Sequence, residues 1–308
     1  MRDSTPRPNP CNLYPVEERR KPVLGRVVPG VSPAVQRRLR RAFAILQWIG
    51  APLAGKLALQ LFLTPARRTV DAIDAPVLAQ STRHAHRAGE HEFVVWKWGD
   101  EAPRVVLLHG WGSHAARFGN FVAPLRAAGF SVIGIDAPAH GASPGRQSDL
   151  PRFRDSLAEV LRVHAPIHAV VGHSLGGGAV LTVLAETAAH HPKKICLFGV
   201  PSDMDYILES FAMMLALGEA ARADLRARFA AHFGRAASAI SVAAAASSVH
   251  IPALVVHDEE DNVAPIAQGE ALAAALKDAT MWRTQGLGHS GALRDAPTIE
   301  RVVSFLRG

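Results

Sequence analysis

The residues of this chain best suited to chemistry are a serine between glycines, a histidine after a glycine and an acid in a turn. Gly172-His173-Ser174-Leu175-Gly176 follows a short apolar run, 168–171, and opens a helix-favouring stretch. A serine hydroxyl is inert near neutral pH until an imidazole takes its proton, and the imidazole needs a carboxylate to fix its tautomer and stabilise its cation. His289, in Gly286-Leu287-Gly288-His289, and Asp261, in the run Asp258 to Pro265, supply those residue types after two later strand-like runs. Asp261 lies 87 residues after Ser174 and His289 another 28 on. That is the order used by serine nucleophiles on mostly parallel sheets. Acyl transfer also creates an oxyanion, which the backbone amides of Leu175 and of Trp111, in His109-Gly110-Trp111-Gly112, are placed to hold.

Rivals exist for the acid. Asp258, Glu259 and Glu260 surround Asp261, although the spacing to Pro265 favours Asp261, and Asp203 or Asp205 could act from the end of the run 194–198. His109, Gly110 and His173, beside the motifs, are expected to touch substrate, as are Phe211 and Met214 with their apolar neighbours Met213 and Leu215. No close pair of histidines or carboxylates has ligand spacing on a common helix, so neither a metal nor a cofactor is expected.

These residues need a frame that brings distant loops together. Strand-like runs at 93–98, 105–108, 131–135, 168–171, 194–198, 253–257 and 280–282 alternate with helical stretches at 115–128, 153–163, 175–189, 267–276 and 298–306. Such alternation implies right-handed crossovers and a mostly parallel α/β sheet. The regularity fails over about 201–250, an Ala-rich, helix-favouring insertion. At that point of a parallel sheet it reads as a cap over the carboxyl ends of the strands.

Residues from about 91 to 308 resemble the α/β-hydrolase superfamily. On that resemblance Ser174 matches the nucleophile, His289 the base, and Asp261 the acid of a G-x-x-D-x-x-x-P-like loop in which Asp258 replaces the usual glycine. Asp136 to Ser143 matches the D-x-x-G-H-G-x-S turn, with Ala139 in place of the first glycine. Phe62-Leu63-Thr64-Pro65 resembles the helical lead-in of some bacterial hydrolases of this group. The resemblance implies an α/β-hydrolase fold with a helical cap and a helical N-terminal extension. It also implies esterase- or lipase-like cleavage of small carboxylic esters, lipid or lysophospholipid esters among them, through an acyl-enzyme. A serine at this turn argues against epoxide hydrolases and haloalkane dehalogenases, which carry aspartate there. A peptidase or acyltransferase with the same triad, and a non-catalytic binding member, stay open.

Of 308 residues 48% are hydrophobic and 20% charged, enough for a full core, and the two cysteines, Cys11 and Cys196, exclude a disulfide framework. The net charge of +7 is unevenly spread: residues 1–90 hold fifteen Lys/Arg against six acids, and the remainder is nearly neutral. Residues 1–31, rich in proline and charge, do not read as a secretory signal peptide, so the expectation is a cytoplasmic chain, at most peripheral at the inner membrane surface. From Ser32, a cap before Pro33, a basic amphipathic helix runs to Gly50, and Pro52 opens an apolar segment to Leu63. Ala42 to Leu63 is just long enough to span a bilayer, but Lys56 and the Gly50/Pro52 break oppose that. Residues 32–63 could instead meet an anionic membrane surface, or pack on the catalytic domain or on a second subunit in a homo-oligomer. No nucleic-acid partner is expected, because the basic run is interleaved with apolar rather than base-stacking residues.

Overall fold

The computed structural model describes residues 32–187 and 189–308. The segment 1–31, with Cys11, lies outside them. Eight strands form one sheet: β1 (Thr82–Ala88), β2 (His91–Trp98), β3 (Arg104–Leu108), β4 (Ser131–Asp136), β5 (Ala169–His173), β6 (Lys194–Phe198), β7 (Ala253–Asp258) and β8 (Ala279–Thr284). Their order is β1-β2-β4-β3-β5-β6-β7-β8. β2 pairs antiparallel with β1 and β4, and every other pairing is parallel.

Alternation along the short central strands feeds two cores, because successive side chains leave opposite faces. Val105 and Leu107 meet Phe121, Leu125 and Val302 on one side. Val106 and Leu108 meet Phe153, Leu157 and Val180 on the other. The helices that supply these residues are α4 (Gly119–Ala127) and α12 (Ala296–Arg307) on the first face, and α5 (Leu150–Val163) and α6 (Leu175–Glu186) on the second, where α10 (Ile266–Ala275) adds Leu272. Parallel strands covered on both faces put all their connecting loops at two edges, and the loops at the carboxyl edge converge.

The insertion contains α7 (Met204–Met214), α8 (Glu219–Phe233) and α9 (Val242–Ala246). Ahead of the sheet come α1 (Pro33–Ile49), capped by the Ser32 hydroxyl, and α2 (Ala51–Phe62). They break at Gly50, and no helix among the described residues is long and apolar enough to cross a membrane. They pack on the insertion instead. Ala54 and Ala58 of α2 are fully buried, and Gly55 lies so close to Asp224 of α8 that a β-carbon would strike its carboxylate. Phe62 closes the contact with edge-on rings at 5.2 Å to Phe211 and 6.0 Å to Phe229. α1 is fixed by Arg40 Nε donating to Met214 O at 3.0 Å and by Gln47 Oε1 accepting from Gly218 N–H at 2.5 Å.

Two features differ from the expectation. β1 lies within the segment read as an extension; its sequence, Thr82 to Ala88, carries no apolar run because an edge strand with one neighbour pairs through its backbone and exposes most side chains. A short α3 (Ala75–Leu78) and a 3-10 turn (Ala115–Phe118) also flank the sheet, so the helix expected from 115 starts only at Gly119.

Candidate active site

β5 ends at His173, and Ser174 makes the turn into α6 with φ 51° and ψ −121°. A positive φ strains any residue with a β-carbon and costs about 1–3 kcal/mol. The turn is held by Ser174 N–H donating to Phe198 O at 2.8 Å, and it fits against β3 only because of glycine. A β-carbon at Gly176 would strike the carbonyl oxygens of Leu108 and His109, and one at Gly110 would come within 2.9 Å of Ser174 Cβ. The loop after β3 is thereby pressed against the serine. Leu175 is the first residue of α6, so its amide has no intrahelical acceptor.

His289 lies on the short helix α11 (Gly288–Gly291), and Asp261 on the loop after β7. His289 Nδ1–H donates to Asp261 Oδ2 at 2.8 Å. Asp261 Oδ1 accepts from the amides of Val263, 2.8 Å, and Ala264, 3.0 Å. Burial alone would raise the Asp261 pKa, yet the His289 hydrogen bond and charge, with these amides, hold it below the usual carboxylate range. Asp203, the rival acid, caps α7 by accepting from Tyr206 N–H at 2.7 Å, while Asp205 sits in the first turn of that helix.

Buried histidines hold this arrangement in place. His173 Nε2–H donates to His289 O at 2.9 Å; burial, then the neighbouring His289, lower its pKa to about 3, so it stays neutral. His257 Nε2–H donates to Ala264 O at 2.7 Å and lies 3.5 Å from Asp261 Oδ2. His109 is fully buried under the loop, Nδ1–H donating to Gly110 O at 2.7 Å and Nε2 accepting from Ala137 N–H at 3.1 Å.

Ser174 and His289 open onto one cavity of about 550 Å³. Of the residues expected at the site, Trp111, His173, Leu175 and Phe211 line it as well. His109, Gly110 and Met214 do not. The first two lie behind the wall as supports, and Met214 is buried in the hydrophobic core instead. Leu61, Phe62 and Arg68, from the segment read as an extension, line the cavity too. The Phe62 to Pro65 motif was the only sequence signal pointing toward it.

Asp258, a rival for the acid in the sequence, has another role. Its carboxylate, buried at the end of β7, accepts from Thr284 Oγ1 (2.8 Å) and from the amides of Leu287 (3.0 Å), Gly288 (2.9 Å) and Glu260 (3.0 Å). It therefore ties the Asp261 loop to the His289 loop. Burial would raise its pKa, but these four bonds together hold it below the ordinary range. A carboxylate with a depressed folded pKa stabilises the fold above its unfolded value, about 3.9, and that contribution is lost as pH falls through the folded one. Asp258→Asn should lower the urea midpoint at pH 7 by the equivalent of about 1.5–3 kcal/mol, and should flatten its decline on acidification relative to wild type. A variant with the wild-type midpoint and acid profile would show that the clamp contributes nothing.

The chain matches the serine aminopeptidase S33 family over residues 99–217 and the TAP-like protein family over 233–308. It is 30% identical over 251 residues to a pimeloyl-acyl-carrier-protein methyl ester esterase of Chromobacterium violaceum, covering 67% of this chain and 92% of that one. It is 34% identical over 117 residues to a monoacylglycerol lipase of Mycolicibacterium smegmatis, covering 33% of this chain and 42% of that one. The solved structure of an esterase from Pyrococcus furiosus superposes with a TM-score of 0.62 at 17% identity, over 80% of this chain and 98% of that one. In sequence, sheet order and loop placement alike, the chain belongs to the α/β-hydrolase superfamily.

Proposed function

We propose that the protein hydrolyses carboxylic esters of small molecules through an acyl-enzyme on Ser174. The observation that carries this is His289, joined to the buried Asp261 at 2.8 Å, lining the same cavity as a serine held at φ 51°. With Nδ1–H given to Asp261, the bare nitrogen of His289 is Nε2, the atom that takes the Ser174 proton as Oγ attacks the ester carbonyl. The amides of Leu175 and Trp111 hold the resulting oxyanion, His289 returns the proton to the departing alcohol, and water then releases the acid by the same route. The ester-hydrolase names of the relatives above favour this chemistry over peptidase or acyltransferase activity.

Lipid-like acyl groups suit the far side of the cavity, where Phe62, Leu150, Ile207, Phe211, Phe229 and Val242 form a hydrocarbon wall. Burial of an acyl chain there is worth about 0.8 kcal/mol per methylene. With p-nitrophenyl esters of two to twelve carbons, kcat/KM should rise with chain length until the cavity is full, and Ser174→Ala should lower turnover by about three to six orders of magnitude. Equal turnover by wild type and Ser174→Ala would reject the mechanism, and a flat chain-length profile would reject the lipid-like acyl group.

A second surface favours peripheral attachment to anionic lipid at the inner membrane surface. Trp48 is 88% exposed at the α1–α2 bend, beside Ile45 at 61% and Ile49 at 60%, and the exposed Arg37, Arg38 and Arg41 lie on the same helix. An apolar tip rimmed by cations fits the interface of an anionic bilayer, not bulk water. Sedimentation with vesicles containing phosphatidylglycerol should fall on Trp48→Ser and in about 0.5 M salt. Sedimentation unchanged by both would remove the attachment; oligomerisation of the wild type without vesicles, abolished by Trp48→Ser, would assign the patch to a second copy of the chain.

A further inference from the structure

Four arginines line the cavity. Arg154 is ion-paired with Asp155 and Glu186, Arg235 comes from the cap, which otherwise contributes mostly hydrocarbon, and Arg68 and Arg117 line it together with Trp111, Gly112 and Ser113 on the side of the loop after β3. Arg68 follows a segment that passes over this loop, with Ala66 O 3.6 Å from where a β-carbon on Gly112 would stand. The segment is pinned by the neighbouring arginine, Arg67, whose Nη2 donates to Ser143 O at 2.7 Å and Gly145 O at 2.9 Å. Arg67 is thus spent on structure, and Arg68 is left at the cavity with no ion pair or side-chain hydrogen bond among the described residues.

Arg117 is half-buried on the turn that follows the same loop, and its nearest carboxylate oxygen, Asp74 Oδ2, stands 3.7 Å away. That is too far for a hydrogen bond. The other oxygen of Asp74 already accepts from Arg294 Nη2 at 2.6 Å. Three guanidinium groups, Arg68, Arg117 and Arg294, therefore gather around two acids, Asp71 and Asp74. Burial first, then the cations Arg294 and Arg68, outweigh these acids and lower the Arg117 pKa. A guanidinium partly withdrawn from water, without a hydrogen-bonded acceptor and beside another cation, carries a desolvation cost that an anionic ligand removes. The planar fork of arginine suits both phosphate and carboxylate.

We propose that Arg68 and Arg117 form an anion subsite on the Trp111 side of the cavity, so that the preferred ester carries a phosphate or carboxylate there and its hydrocarbon on the cap side. This rests on Ser174 being the nucleophile of an ester hydrolase. Phosphate on the alcohol portion and carboxylate at the end of the acyl portion are the two ways to meet it, and two matched pairs of substrates separate them. The first pair is 1-dodecanoylglycerol and its 3-phosphate. The second is p-nitrophenyl octanoate and the mono-p-nitrophenyl ester of octanedioic acid.

In one of these pairs the wild type should favour the anionic member, chiefly through KM, and Arg68→Gln should lower the anionic-to-neutral ratio of kcat/KM about tenfold. Arg117→Gln should act in the same direction. Because Arg68 is exposed, its variant keeps the test sound even if removing the partner of Asp74 unsettles the fold. Cleavage of neutral esters with no anionic preference in either pair, or a ratio that Arg68→Gln leaves unchanged, would overturn the subsite while leaving the hydrolase intact. A wild type inert toward all four esters would overturn both.

Discussion

A serine forced into a left-handed backbone conformation is unstable by itself, and the site exists because the surrounding packing leaves it no alternative. β5 must turn into α6 within one residue, since α6 has to lie back on the sheet against β3. The turn is possible only while Gly176 lets the helix start touch the carbonyls of Leu108 and His109. The strain at Ser174 is held by the cores on both faces of the sheet. The same contact brings the Trp111 loop to the serine, so Ser174 and the backbone of that loop are positioned by one packing event.

Asp261 and His289 are positioned differently, by polar bonds. Asp261 and His289 come from loops after β7 and β8, neighbouring strands whose parallel register delivers both at the same edge. Asp258 then fixes the two loops to each other through Leu287 and Gly288, and His173 fixes the His289 backbone to the nucleophile turn. Each of these links is at least partly buried, where an unpaired group would be costly, so the arrangement has few alternatives. The extension adds the last wall: α2 packs on α8 through small residues and so carries Phe62 into the cavity, and the chain beyond it carries Arg68 there.

Much of this was legible in the sequence because it depends on local constraints. Gly172, Gly176 and Ser174 at a strand-to-helix junction mark a tight turn wherever they occur, and the apolar runs of β3 to β7 can only be strands buried on both faces. The break at Gly50 and the cap at Ser32 were similarly readable. What was not legible depends on partners far along the chain. Nothing in Thr82 to Ala88 announces a strand, because its pairing is with β2 backbone. Met214 and Phe211 lie on one apolar helix, and only the direction in which α7 packs decides that Phe211 faces the cavity and Met214 the core. The role of Asp258 was hidden for the same reason, since three of the four groups that donate to its carboxylate lie 26 to 30 residues later.

The central claim is that the packed turn makes the Ser174 hydroxyl nucleophilic by placing it with the His289–Asp261 pair. Intact-mass and peptide mapping after treatment with a fluorophosphonate tests this most directly, since the reagent reacts only where a serine is activated and an oxyanion site receives the phosphoryl oxygen. One adduct per chain, on Ser174, formed by the folded protein and lost on denaturation or in His289→Ala, is the predicted result. A folded protein that stays unmodified, or that is modified equally well without His289, would contradict it.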